Sequence, residues 1–185
     1  MSVTRRSDGV IRKIWPVEAE KFANHLLRLD PMSRRMRFSG PVSDEFIRNY
    51  ADTASRLNAV MHGFFVEGEL RAAAELRPIF DHWPVEAEAA FSVEKAYQDS
   101  GIGSELMDRT LLAARNRGIK TLHMVCLAEN QRMQRIARKH EAKLNYDHGD
   151  ISADLDPSWP SYFSLLRETV SSSGELVSAV LDRHH

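Results

Sequence analysis

At 185 residues, with 43% hydrophobic and 28% charged side chains, the chain has the length and composition of one globular domain with a substantial core. A net charge of −1 gives no general attraction to nucleic acid or to an anionic membrane, and no apolar run is long enough to span a bilayer. The single cysteine, Cys126, excludes an intramolecular disulfide, and residues 1–8 are polar and basic with no apolar stretch behind them, so the expected compartment is the reducing cytoplasm.

Residues 10–15 read as a first strand. Pro16 suits the first position of a helix, with Glu18 and Glu20 in the opening turn and Phe22, Leu26 and Leu29 as the apolar stripe. Asp30-Pro31 breaks that helix. Arg34, Arg35 and Arg37, interleaved with Met36 and Phe38, read foremost as a solvated turn with apolar anchors. The functional alternative is a rim that receives an acidic substrate or an outer phosphate. Ser43 is an N-cap for a second helix, with Asp44 and Glu45 in its first turn and Phe46, Ile47, Tyr50, Ala54 and Leu57 on its buried side. Residues 59–66 and 69–77 are strand-like and meet at Glu67-Gly68, a hairpin turn. Alternation of Leu70, Ala72, Ala74 and Leu76 with Arg71, Ala73, Glu75 and Arg77 predicts one polar face for the second of these strands.

Residues 86–93 form the next strand. A polar loop then carries Gln98, Gly101 and Gly103 in the spacing Q-x-x-G-x-G, and an amphipathic helix follows at once. Strand, glycine loop and helix start together collect unpaired N–H groups at the positive end of a helix dipole, a seat for a phosphate. The spacing matches neither the dinucleotide fingerprint nor the P-loop. Gly118 looks like the stop of that helix. Residues 121–127 are a further strand, and Asn130 then precedes a helix with Met133, Ile136, Ala137 and His140 on one side. Arg132, Arg135, Arg138 and Lys139 on its other side read as a solvated charged face. Residues 144–155 suit one or two short strands through a turn at 147–150. Trp159, Tyr162 and Phe163 suggest another helix, and residues 175–183 a short terminal one.

The strand ending at Val93, the Q-x-x-G-x-G loop, the helix, the next strand and Asn130 resemble the acyl-CoA-binding core of the GNAT N-acetyltransferase superfamily. The likeness is strongest over residues 86–145. The segments Ala87-Glu88-Ala89-Ala90-Phe91-Ser92-Val93, Glu129-Asn130-Gln131-Arg132-Met133 and Ser33-Arg34-Arg35-Met36-Arg37-Phe38 look most like the GNAT domains of bacterial protein-lysine acetyltransferases. The resemblance implies an α/β (α+β) fold: a mixed, mostly antiparallel sheet with a splayed parallel strand pair and flanking helices. It implies one domain over residues 1–185, with its core at 10–155 and a helical extension at 156–185. Acetyl-CoA is the implied co-substrate. Its diphosphate would rest on the backbone of Gln98, Asp99, Ser100, Gly101, Ile102, Gly103 and Ser104, its pantetheine arm along Phe91 and Val93, with an amide contact from Asn130. The chain departs from the family at two places. Ala137 stands where many members have a tyrosine general acid, and Glu141 where a glycine is usual.

The implied chemistry is transfer of an acetyl group to a primary amine, on a protein lysine or a small molecule. An amine of pKa about 10.4 is neutral only roughly one part in a thousand near pH 7, a penalty of about 4 kcal/mol, so a carboxylate base is needed. Glu88 is the first candidate and Glu75 the second; either has a solvated strand carboxylate as its plain reading. Strand alternation groups Glu88 with Ala90 and Ser92, and a bulge in that strand would change the grouping. The oxyanion needs an N–H donor, plausible from the backbone near 91–93. No general acid is assigned, although Tyr97 and Tyr146 are conceivable. Cys126 reads as a small apolar strand residue rather than a nucleophile. The eight histidines show no ligand spacing for a metal. Two other functions fit the same loop: a catalytically silent acyl-CoA-binding regulatory module, and a nucleotide-binding module. The aromatic-rich C-terminal helix also offers a surface for a second copy of the chain.

Overall fold

The computed structural model describes residues 9–56, 59–79, 86–147 and 150–155. In chain order its elements are β1 (Val10–Lys13), α1 (Ala19–Arg28), α2 (Pro31–Phe38), α3 (Asp44–Arg56), β2 (Val60–Val66), β3 (Glu69–Pro78), β4 (Glu86–Val93), α4 (Ile102–Asn116), β5 (Thr121–Leu127), α5 (Gln131–Lys139), β6 (Lys143–Asp147) and β7 (Asp150–Leu155). The helices expected beyond residue 155, the loop around Pro84, and Leu57 lie outside the described residues.

Seven strands form one sheet in the order β1-β2-β3-β4-β5-β7-β6. Every pairing is antiparallel except that of β4 with β5. Glu67 (φ 51°) and Gly68 (φ 76°) both take left-handed conformations, the two-residue turn whose twist suits a tight hairpin. A register shift falls at Phe64/Phe65 in the β2–β3 pair, while β3 and β4 run in unbroken register from Ala72↔Val93 to Pro78↔Ala87. The alternation expected along β4 therefore holds, and the bulge lies two strands away.

Helix α4 covers one face: Met107, Ala113 and Ala114 pack with Ala87, Ala89, Leu122 and Met124. Helices α1 and α3 cover part of the other, with Phe22, Leu26, Ile47 and Ala51 against Met61, Phe65 and Ala73. One expectation is refined and another corrected here. The polar side of β3 is present, with Arg71, Glu75 and Arg77 all ion-paired on it, but it is covered rather than open: Ala73 and Glu75 are each 1% exposed. Phe46 is exposed rather than buried, stacked at the rim with Tyr50 and edge-on to Phe38.

The arginine-rich segment is also corrected, since it is a helix and not a turn. Asp30 ends one helix and caps the next, its carboxylate accepting from the N–H groups of Met32 and Ser33, with Pro31 at the first helical position. Arg34 is held by Asp44 and the Leu27 carbonyl, and Arg37 is buried. Arg35 is the one that stays exposed, paired with Glu129, whereas Arg37 finds in buried Glu75 a partner that only the fold reveals.

Candidate active site

Parallel pairing between β4 and β5 spans only Glu86↔Thr121, Ala87↔Leu122 and Glu88↔His123, after which the two strands part. The Glu94 N–H bonds to the Arg71 carbonyl. By the alternation of an antiparallel ladder, the even-numbered residues of β4 then pair with β3, and Ala89, Phe91 and Val93 turn their N–H and C=O groups toward the gap. An open cleft of about 270 Å³ enters this gap, lined by Arg37, Tyr50, Arg77, Glu88, Phe91 and Asn130, among others.

The glycine loop closes one end. Asp99 (φ 57°) and Gly101 (φ 88°) are left-handed, and Gly101 is the N-cap of α4. The first intrahelical bond runs from the Glu105 N–H to the Gly101 carbonyl, leaving the N–H groups of Ile102, Gly103 and Ser104 directed outward. A Cβ on Gly103 would lie 3.0 Å from Ile136 Cδ1, so this glycine also lets α4 approach α5. The Ile102 side chain is in the core, which leaves its backbone alone for a ligand. Ser100 Oγ donates to the Tyr97 carbonyl at 2.5 Å. The Gln98 amide donates to Ser33 Oγ at 3.0 Å and to the Val93 carbonyl at 2.9 Å, so its side chain ties α2 to the end of β4.

Three cations converge on this loop that the sequence reading placed on a merely solvated face. Arg132 grips Asp99 through Nε and Nη2, at 3.0 and 2.9 Å, and Arg135 stands 3.6 Å from the same carboxylate. Lys139 Nζ donates to Ser104 Oγ at 3.0 Å. The Arg132 hydrogen bonds hold the Asp99 carboxyl below the usual range. The signal was the i, i+3 and i+7 spacing of 132, 135 and 139, which puts all three on one helical stripe. Asn130 caps α5, its Oδ1 accepting from the Met133 N–H at 3.1 Å, and it lines the cleft as well.

The two candidate bases differ sharply. Glu88 is 45% exposed, lines the cleft and meets Arg77 at 3.3 Å. Glu75 is buried, hydrogen-bonded to Arg37 and accepting from the Tyr50 hydroxyl at 2.7 Å. Burial and the Glu75 charge push the Tyr50 phenol up to about 12. Tyr97 packs on Phe64, and Tyr146 is an exposed acceptor for Arg138. Ala137 is core. Cys126 is buried and lines the inner cleft.

One further cluster has the order of a nucleophile, base and acid. His25 Nε2 lies 2.8 Å from Ser92 Oγ, and its Nδ1 lies 3.2 Å from Glu94 Oε1. Burial holds the His25 pKa below its usual value against the pull of Glu94. Ser92 and His25 are buried and neither lines the cleft, so the cluster fastens α1 to β4.

The family model described as "Acetyltransferase (GNAT) family" matches residues 25–141. The chain belongs to the GNAT acetyltransferase family. Its fold recurs in the GNAT domain of S. lividans PAT, 21% identical, with TM-score 0.66 over 79% of this chain and 89% of that one. An N-acetyltransferase from Staphylococcus aureus Mu50 is 17% identical with TM-score 0.63, over 82% of this chain and 100% of that one. The PaiA N-acetyltransferase of Thermoplasma acidophilum, solved with coenzyme A, is 19% identical with TM-score 0.61, over 80% and 99%. As a GNAT acetyltransferase the protein uses acetyl-CoA as co-substrate. Its gap between β4 and β5 and its outward N–H groups at Ile102–Ser104 fit an extended arm and a diphosphate.

Proposed function

We propose that the protein transfers the acetyl group of acetyl-CoA to a primary amine, on a lysine side chain or a small molecule, by direct attack in a ternary complex. The observation that carries this reading is the place of Glu88. It stands on the last paired rung of β4 and β5, so an exposed carboxylate adjoins the mouth of the gap. Glu88 takes the ammonium proton, and the amine nitrogen then attacks the thioester carbon. The N–H groups of Phe91 and Val93 face the gap, where the arm's amides and the developing oxyanion need donors. The diphosphate rests on the loop from Gln98 to Ser104, within reach of the charge of Arg132, Arg135 and Lys139, with Asn130 beside the arm. Glu75 is a structural anion, because its charge is already matched by Arg37 and Tyr50.

Steady-state thiol release with an amine panel tests the reading. Glu88→Gln lowers kcat/KM by about 10²–10⁴ while acetyl-CoA affinity by calorimetry stays at the wild-type value. Tight acetyl-CoA binding without turnover of any amine would instead indicate a silent regulatory module, and thermal stabilisation by nucleotides alone a nucleotide module.

A further inference from the structure

The cross-strand registers align a row of charged residues that runs out of the cleft. Arg77 is opposite Glu88, Glu88 opposite His123, His123 opposite Asp154, and Asp154 opposite Lys143, one residue from each of five adjacent strands. Register partners lie side by side on one sheet face. His123 Nδ1 is 2.8 Å from Asp154 Oδ1, and its Nε2 is 3.3 Å from Glu86 Oε2. Asn145 Nδ2 donates to Asp154 Oδ2 at 3.4 Å, fixing that carboxylate from the far side. The imidazole thus contacts Glu86 from β4 and Asp154 from β7, with Glu88 its register neighbour on β4 and Arg77 and Lys143 one step further along the row.

Acetyl transfer to an ammonium releases protons in sequence. The nitrogen loses two, the departing thiolate takes one, and the other must reach water. An acceptor seated over Glu88 covers that carboxylate at the moment it holds the proton. His123, next in the row and 34% exposed, stays open to solvent. We propose, resting on the assignment of Glu88 as base, that His123 is a positioning residue for proton release, accepting at Nε2, through an intervening water, the proton from its register neighbour Glu88 while Asp154 holds Nδ1–H, and passing it to water. No bond other than N–H and O–H bonds changes in this step. Burial pushes the imidazole pKa down, and the hydrogen bonds and charges of Asp154 and Glu86 raise it, net, above 6.5. His123 must be neutral to accept, so kcat/KM rises as pH passes upward through its pKa.

The test measures kcat/KM against pH for wild type, His123→Gln and Asp154→Asn, with acetyl-CoA and the best amine of the panel above. Wild type should show an ionisation above 6.5 that His123→Gln lacks, and the variant's high-pH plateau should be lower by about tenfold at unchanged acetyl-CoA affinity. Asp154→Asn keeps the imidazole and should move the same ionisation down. Nitrogen NMR of the folded protein, without any acceptor, should show the His123 pKa falling in Glu88→Gln as a neighbouring negative charge is removed. A His123→Gln profile that superimposes on wild type, or a His123 pKa indifferent to Glu88→Gln, overturns the proposal. Wild-type turnover by Glu88→Gln would overturn the base assignment itself, whereas an inactive Glu88→Gln beside an unaltered His123→Gln would overturn only the relay.

Discussion

Glu75 and Glu88 sit on neighbouring strands with side chains on the same face, yet their surroundings differ: one is buried in an ion pair and the other lines the cleft. Arg37 and Glu75 form a buried pair, 8% and 1% exposed, completed by Tyr50. Removing one partner strands the other charge away from water. Arg37→Ala should therefore cost about 3–5 kcal/mol in urea denaturation, far more than loss of an exposed pair such as Arg35–Glu129. Glu141 presents a different residue-scale cost. It has φ 61° at the end of α5, where its N–H bonds to the Arg138 carbonyl and the Ala142 N–H to the Ala137 carbonyl. This is the helix-ending geometry that glycine adopts freely, as Gly118 does at the end of α4. Glu141→Gly should raise stability by about 0.5–1 kcal/mol, read as a higher urea midpoint.

At the scale of elements, the proposed phosphate seat depends on two helices meeting at one glycine. Gly103 supplies both an outward N–H on α4 and the close approach to Ile136 on α5. Gly103→Glu places a carboxylate at the helix start and asks Ile136 Cδ1, a flexible tip, to move by tenths of an ångström. Acetyl-CoA affinity by calorimetry should drop at least about tenfold while far-UV circular dichroism stays native. The sequence spacing pointed to this loop on its own, since Q-x-x-G-x-G before an amphipathic helix is a local signal. The three cations of α5 around it form an equally plain stripe in the sequence, but a helix stripe does not specify its neighbour.

Across the whole molecule, buried or half-buried carboxylates couple folding to acid. Burial raises the Glu18 carboxyl, but Arg12 at 2.8 Å, the Trp15 N–H and Lys21 together lower it by more, so its pKa lies below 4.5. Glu94 is likewise held below 4.5, where burial is outweighed by His25 and Arg28. A depressed folded pKa means stability that is complete above the unfolded value and lost as pH falls through the folded one. The urea midpoint should thus begin to fall below about pH 6.5, where the unfolded chain protonates His25 and the buried imidazole resists it, and fall further below pH 4.5, with a shallower loss in that lower range in Glu18→Gln. Both carboxylates fasten the helical layer to the sheet, Glu18 at the start of α1 and Glu94 beneath it, so acid loosening should begin on that side.

The local features of this protein were legible in the sequence because each arises from contacts between near neighbours along the chain. Strand alternation in β4, the hairpin at Glu67-Gly68, the Ser43 and Asn130 caps and the glycine loop all belong to that class. The tertiary structure decided what depends on partners far apart in sequence. It buried Glu75 with Arg37 and left the Glu88 side chain on the cleft, and it ended the β4–β5 ladder at the rung of Glu88 and His123. It also inserted β7 between β5 and β6, which brought Asp154 to His123. Which carboxylate meets water and which imidazole meets a carboxylate follow from how sheets stack and strands order, and no window of neighbouring residues encodes that.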